Sequence, residues 1–324
     1  MEATATVERR LPLLSVVVPM HDEQDTVRIL YDRTAAALAD VPFELVAVDD
    51  GSTDRTPEIL AALAAEDPRV KVVRLSRCFG HQAALTAGLD AATGDAVVMM
   101  DGDLQDPPEV VPEMVERWRS GADVVYGVRV RREGETRFKI ATARRFYRLM
   151  ARMSSVPLAE DSGDFRLLDR RALDALRAMR ERSRYLRGMT VWIGFTQTAV
   201  PYVRESRHAG RTKFSLGRMT RFALDAVASF SNTPLQVASV VGFWCAALAF
   251  AAIPVALGMR LADQFVPGVT TTVIAVLLLG GLQLMALGVL GEYLGRVYEE
   301  VKRRPLYVVR DWHNLDEPPD GTGP

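Results

Sequence analysis

Two stretches of this 324-residue chain carry no charged residue at all, Ala226–Met259 and Gln264–Gly291. Within them lie SVVGFWCAALAFAAIPVALGM and TTVIAVLLLGGLQLMALGVLG, each long enough for a hydrocarbon core that takes about 20 helical residues. A helix at the surface of a water-soluble core keeps a polar stripe on its outer face, and neither stretch shows one. The sequence therefore predicts a two-helix membrane hairpin over 235–295, joined by the short loop RLADQFVPG. Arg218 and Arg221 precede the first span, and Arg296, Lys302, Arg303 and Arg304 follow the second. Positive flanks stay on the cytoplasmic side. Both termini and the tail 296–324 are then expected in the cytoplasm, with the chain a multi-pass protein of the cell (inner) membrane.

Residues 1–225 are patterned differently. Apolar, β-branched runs recur at 13–19 (LLSVVVP), 44–50 (ELVAVDD), 70–76 (VKVVRLS), 96–102 (AVVMMDG) and 122–128 (ADVVYGV), with helix-like segments at 26–40, 56–67 and 81–94 between them. Strands alternating with helices of this length imply an α/β domain with a mostly parallel sheet and a site at the strands' carboxyl ends. The net charge of −1 supplies no global attraction to nucleic acid, and no such partner is expected. Cys78 and Cys245 are far apart with no metal-ligand spacing, which argues against a disulfide framework or a zinc site and for a reducing compartment. The N-terminal apolar run LPLLSVVVPM is followed at once by HDEQD, and reads as a core strand rather than a signal peptide.

Three of the expected strands end in acids: HDE (21–23), DDGSTD (49–54) and DGDLQD (101–106). No GxGxxG follows the first strand, and neither GxxxxGK[ST] nor GxSxG is present, so the dinucleotide, P-loop and α/β-hydrolase readings lose their main support. An EF-hand starting at Asp101 fails because Asp106 stands where glycine is needed and Pro112 where glutamate is needed. Asp101 and Asp103, flanking Gly102 just past a strand, are hard oxygen ligands suited to Mg²⁺ or Mn²⁺ on a diphosphate. Glu109 would begin the following helix, where a carboxylate suits the dipole. His21, His81 and His313 show no ligand spacing and read as local hydrogen-bonding groups.

In this order and on strand ends, VPMHDE (18–23), DDGSTD (49–54) and DGDLQDPPE (101–109) resemble the GT-A, family-2 glycosyltransferases. DSGDFRLLDR (161–170), RGMTVWIGF (187–195), ESRHAGRTKFS (205–215) and RRPLYVV (303–309) resemble the polyprenyl-phosphate glycosyltransferases among them, the group of the dolichol-phosphate mannose synthases and bactoprenol glucosyltransferases. The resemblance implies a GT-A domain (Rossmann-like, mostly parallel sheet) followed by two C-terminal transmembrane helices. It places Pro19, Glu23, Asp49 and Asp50 at the nucleoside, Asp101 at the ribose or metal, and Asp103 on the metal. Gln105, with Asp106, would border the donor sugar, Asp161 or Asp164 would face sugar and acceptor, and Arg129, Arg207 and Lys213 would meet phosphates. The segment near 137–153 carries an apolar face with arginines on others, suited to the headgroup level or to core packing with a solvated face. A second interfacial candidate, 219–232, leads into the first span.

The implied reaction is inverting, metal-dependent transfer of one sugar from a nucleotide sugar, UDP-glucose as first choice, to a polyprenyl phosphate, undecaprenyl phosphate as first choice. Homo-oligomerisation is left open. A GDP-mannose-dependent mannose synthase is the alternative donor reading, and a non-catalytic membrane scaffold or sugar-nucleotide sensor the alternative class. A processive polysaccharide synthase is disfavoured, because no glutamine here is followed by the RW of a QxxRW motif.

Overall fold

The computed structural model describes residues 9–130, 162–182, 184–205, 240–245, 247, 251, 254, 268–319 and 321. The chain divides into two units, one comprising Met1–Ala151, Val156–Ser215 and Arg304–Pro324, the other Arg152–Ser155 and Leu216–Arg303.

In the first unit the chain runs β1 (Leu14–Met20), α1 (Val27–Ala37), β2 (Phe43–Asp49), α2 (Thr56–Glu66), β3 (Val70–Leu75), α3 (His81–Ala91) and β4 (Ala96–Met99). A 3-10 turn at Pro108–Val110 leads into α4 (Val111–Arg119) and β5 (Val124–Arg129). Then come β6 (Ser162–Asp169), α5 (Arg170–Ala178), α6 (Leu186–Trp192), β7 (Gln197–Tyr202) and, near the C-terminus, β8 (Val309–His313). These strands form one sheet in the order β7-β5-β6-β4-β1-β2-β3-β8. The run β4-β1-β2-β3 is parallel, β6 lies antiparallel between β4 and β5, and β7 is parallel to β5. The mostly parallel α/β sheet expected from the alternating pattern is present, with each of the five expected strands close to its predicted place.

Every residue of β1 and of β2 is buried. Parallel strands covered on both faces need unbroken apolar runs, which explains LSVVVPM and FELVAVD. The polar exceptions are Asp49 at the end of β2 and, neighbours in register, Ser15 and Glu44. Glu44 is 3% exposed and accepts from Ser15 Oγ at 2.5 Å, Thr93 N at 2.7 Å and Thr93 Oγ1 at 2.8 Å, with Lys71 Nζ at 2.5 Å. A buried carboxylate survives only when satisfied in this way. At the strands' starting rim Arg9 bridges Asp123 at 2.9 Å and Asp169 at 3.2 Å. The acids at that rim are spent on structure.

The segment read as a C-terminal tail divides. To Val301 it is the end of a long helix; from Arg304 it belongs to the first unit. There Tyr307 is 1% exposed and donates to Asp90 Oδ2 at 2.7 Å. β8 pairs antiparallel with β3, and the Asn314 amide donates to Ala64 O and Val70 O at 2.7 and 2.8 Å.

The second unit contains α7 (Val269–Val301), which carries the second predicted span. Its stretch Leu278–Val301, mean hydropathy 1.3, is the one helix among the described residues long and apolar enough to cross a membrane. Most of the first predicted span, and the segments near 137–153 and 219–232, lie outside the described residues.

Candidate functional site

The loops after β1, β2 and β4 lie together at the carboxyl end of the parallel strands, and the first two are laced to each other. Asp22 N donates to Ser52 Oγ at 3.0 Å, Thr53 N to Asp22 Oδ1 at 2.8 Å, Glu23 N to Thr56 Oγ1 at 2.9 Å and Gln24 N to Asp54 Oδ2 at 3.1 Å. Glu23 also accepts from Thr26 Oγ1 at 3.0 Å, and Pro19 is buried within β1.

Asp49 and Asp50, adjacent in sequence, serve different neighbours. Asp49 is fully buried; its Oδ1 accepts from Ser52 N at 3.0 Å and its Oδ2 faces Arg74 Nε at 3.4 Å. It lines an open cleft with Thr53, Arg74, Asp311 and His313, so β8 contributes to that wall. Asp50 accepts from Phe79 N at 2.7 Å, Gly80 N at 2.9 Å and Cys78 Sγ at 3.3 Å. It thereby pins the loop that precedes α3. His21, Asp50 and Cys78 come close enough to share a cation, but both carboxylate oxygens are taken by these bonds and His21 Nδ1 is 2.9 Å from the Asp50 carbonyl. Hydrogen bonding accounts for the grouping.

With that loop fixed, His81 opens α3 directly over the acids of the β4 loop. Its Nε2 lies 3.6 Å from Asp101 Oδ1 and 3.4 Å from Asp164 Oδ2. Asp164 also accepts from Gln82 Nε2 at 3.2 Å and lies 3.5 Å from Arg187 Nε, while Gln82 Oε1 accepts from Leu186 N at 2.9 Å. Helices α3 and α6 are thus joined through one carboxylate. Burial works against the charge on Asp164, yet the His81 hydrogen bond and the Arg187 and Arg166 guanidinium groups hold its carboxyl well below the usual carboxylate range. Asp164 does not hydrogen-bond Arg166, which donates instead to Gly163 O at 2.9 Å and to Thr190 Oγ1.

Asp101 is in the opposite position. Burial, reinforced by the Asp106, Asp164 and Asp103 carboxylates and opposed by His81, pushes it up to about 6. Asp101 and Asp103 stand two residues apart on the loop after β4 as hard oxygen donors, a set that fits Mg²⁺ or Mn²⁺. Asp103 is 7% exposed and accepts from Gln105 N at 3.1 Å. Gly102 is needed less for a ligand than for the neighbouring strand, since a Cβ there would stand 3.1 Å from Pro19 O. Leu104, fully buried, holds φ at 61°, a conformation a side chain of this size adopts only under constraint.

Asp106 turns inward, 1% exposed, to accept from Tyr202 Oη at 2.6 Å. Two prolines and the start of a 3-10 turn follow it. Gln105 is half-buried at the loop, its carbonyl accepting from Glu205 N at 3.2 Å. Glu109 does lie at the helix start, where it forms a two-pronged pair with Arg33 at 2.9 and 2.7 Å. Arg129 ends β5, with Nε donating to Tyr202 Oη at 3.2 Å. Asp161, Arg207 and Lys213 lie outside the described residues. His81, Gln82 and Tyr202 were missed from sequence. A signal for His81 existed: it follows Phe-Gly at the start of a helix, at the same strand-end level as the two acidic loops.

An α/β sheet of this order, with a DxD loop at the end of a central strand, defines a GT-A-like transferase domain. A family model described as glycosyl transferase family 2 matches residues 15–177. The uncharacterized glycosyltransferase YkcC of Bacillus subtilis is 43% identical over 93% of this chain and 94% of its own length. A prophage bactoprenol glucosyl transferase homolog of Escherichia coli is 39% identical over 92% and 98%. Glucosyl-3-phosphoglycerate synthase from Mycobacterium tuberculosis, solved with Mn²⁺, UDP-glucose and phosphoglyceric acid, aligns over 67% of this chain and 79% of its own at 24% identity and a TM-score of 0.45. The chain belongs to glycosyltransferase family 2. It is a glycosyltransferase, similar across nearly its whole length to bactoprenol glucosyl transferases.

Proposed function

We propose that this enzyme transfers one glucosyl residue, with inversion, from UDP-glucose to undecaprenyl phosphate at the cytoplasmic face of the cell membrane, held there by a hairpin of two helices over 235–295. The observation that carries the reading is the meeting of Asp101 and Asp164 across His81, which brings a carboxylate of the loop after β4 and one of the DSGDF strand to the same imidazole. The likeness to bactoprenol glucosyl transferases supports the lipid acceptor and the sugar.

In the reaction the bond from the sugar's anomeric carbon to the diphosphate oxygen breaks, a bond to an acceptor phosphate oxygen forms, and UDP leaves with the electron pair. A phosphate monoester is already anionic at neutral pH, so no general base is required. Asp164, kept ionised by its cationic neighbours, then orients rather than takes a proton. Asp101 and Asp103 would hold Mg²⁺ or Mn²⁺, which supplies charge neutralisation to the leaving diphosphate when bound. Arg129, Arg207 and Lys213 bind phosphate oxygens, and Asp49, Asp50, Pro19 and Glu23 frame the nucleoside. Cations placed where negative charge develops stabilise the transition state more than the ground state.

The test is transfer by membranes containing the enzyme, offered UDP-glucose or GDP-mannose with undecaprenyl phosphate, with and without a chelator. Glucolipid formed from UDP-glucose and lost on chelation is expected. Product from GDP-mannose alone overturns the donor, and product unaffected by chelation overturns the metal.

A further inference from the structure

Tyr202 closes β7 in register with Arg129, the last residue of β5. Its side chain joins two parts of the site that have no contact in sequence. The hydroxyl donates to Asp106 Oδ1 at 2.6 Å and accepts from Arg129 Nε at 3.2 Å. The ring is 3% exposed and meets Phe165 edge-on, centroids 5.3 Å apart and planes at 81°. Two glycines make the slot. A Cβ on Gly127 would stand 2.8 Å from Tyr202 Cε1, and one on Gly163 only 2.9 Å from Arg129 Nη2. The Arg129 guanidinium therefore lies against the backbone of the DSGDF strand, next to Asp164.

An arginine and an aspartate this close could have paired directly. Such a pair would occupy the fork of the guanidinium and cancel its charge. With the phenol between them, Nε is the one guanidinium nitrogen of Arg129 that hydrogen-bonds among the described residues. Among the described residues neither terminal nitrogen takes a hydrogen bond, and the two together have the geometry of a bidentate grip on a phosphate. The arrangement is not cheap for the fold. Asp106 is 1% exposed and its Oδ2 has no hydrogen-bond partner among the described residues, a burial that apolar side chains would replace without penalty.

We infer that Tyr202 is the positioning residue of the phosphate site. Its hydroxyl, shared between Asp106 and Arg129, aims the Arg129 guanidinium at a phosphate and ties that aim to the DGDLQD loop. The inference rests on the reading of Arg129 as a phosphate-binding residue of the proposed transferase.

The experiment uses the full chain in detergent or nanodiscs. It measures transfer kinetics together with separate binding of UDP and of undecaprenyl phosphate. Tyr202→Phe, which keeps the ring and its packing, is expected to lower kcat/KM about 10- to 100-fold, the scale of a misaimed catalytic group. Its melting temperature should stay within the scatter of the parent. It should weaken one of the two binding arms, and in an Arg129→Ala background it should add less than about twofold. Asp106→Asn, which keeps an acceptor for the hydroxyl, should lose less than Asp106→Ala. Kinetics and binding of Tyr202→Phe equal to the parent overturn the inference, as does a full Tyr202→Phe effect persisting without Arg129. If the parent itself fails to glucosylate undecaprenyl phosphate while Tyr202→Phe still weakens UDP or lipid-phosphate binding, the functional reading fails and the positioning role stands.

Discussion

Acids in this chain look alike in sequence and differ sharply in what surrounds them. Glu44 is held by a lysine, two hydroxyls and an amide, whereas Asp101 shares its space with other carboxylates and one histidine. Burial works against the charge on Glu44, but Lys71, Ser15 and Thr93 prevail and its pKa lies below the ordinary 4.5. A lowered folded-state pKa contributes stability that is present above 4.5 and lost as pH falls through the folded value. Glu44→Gln is therefore expected to destabilise at pH 7 by about 1–3 kcal/mol and to match the parent at low pH, read from thermal melts across the range; an equal deficit at both ends would refute the linkage. At the donor loop, Asp103→Asn is expected to cut transfer by about 10²- to 10³-fold in saturating Mg²⁺, the scale of losing one transition-state charge contact. An unchanged rate removes Asp103 from the metal. His81→Ala should leave Asp101 and Asp164 facing each other without the imidazole between them. A drop of at least about tenfold in kcat with the fold retained is expected, and would be seen in the same assay.

Elements differed in how readable they were. Strands β1, β2 and β4 were legible because central parallel strands are buried on both faces and must be written as apolar runs; β3 and β5 keep enough of the same β-branched pattern to be read with them. Strands β6 and β8 were not: SGDFRLLD carries Asp164 and Arg166 in the site, and VRDWH is an edge strand with one wet face. Both are recruited by long-range antiparallel pairing, β6 to β4 and β5, β8 to β3, and no local pattern announces such partners. β8 makes the last residues of the chain part of the domain. Tyr307→Ala would empty a fully buried socket and cost about 3–5 kcal/mol, while Tyr307→Phe removes only the bond to Asp90, about 1 kcal/mol. Thermal unfolding should order the two in that sense. An unaltered melt for Tyr307→Ala would mean that the C-terminal segment is not docked in solution.

At the scale of the whole molecule, topology offers its own check. If both termini are cytoplasmic, a cysteine placed at Asp263, in a chain with Cys78 and Cys245 changed to serine, is labelled by an impermeant thiol reagent from the outer side of intact cells. Labelling only after lysis would reverse or abolish the hairpin. The α/β class, the family and a helix long and apolar enough to cross a membrane were all determined by the sequence alone, because each is written locally: apolar runs at regular spacing, acids in a fixed order past strand ends, a charge-free tract. Which acid does what was decided only in three dimensions. Asp50 fixes the loop that sets His81 over Asp101 and Asp164, Asp106 turns away beneath Tyr202, and the chain's last strand walls the cleft beside Asp49. The reason is physical. A carboxylate's charge and hydrogen bonds depend on neighbours within a few ångströms, and here those neighbours arrive from positions up to hundreds of residues away.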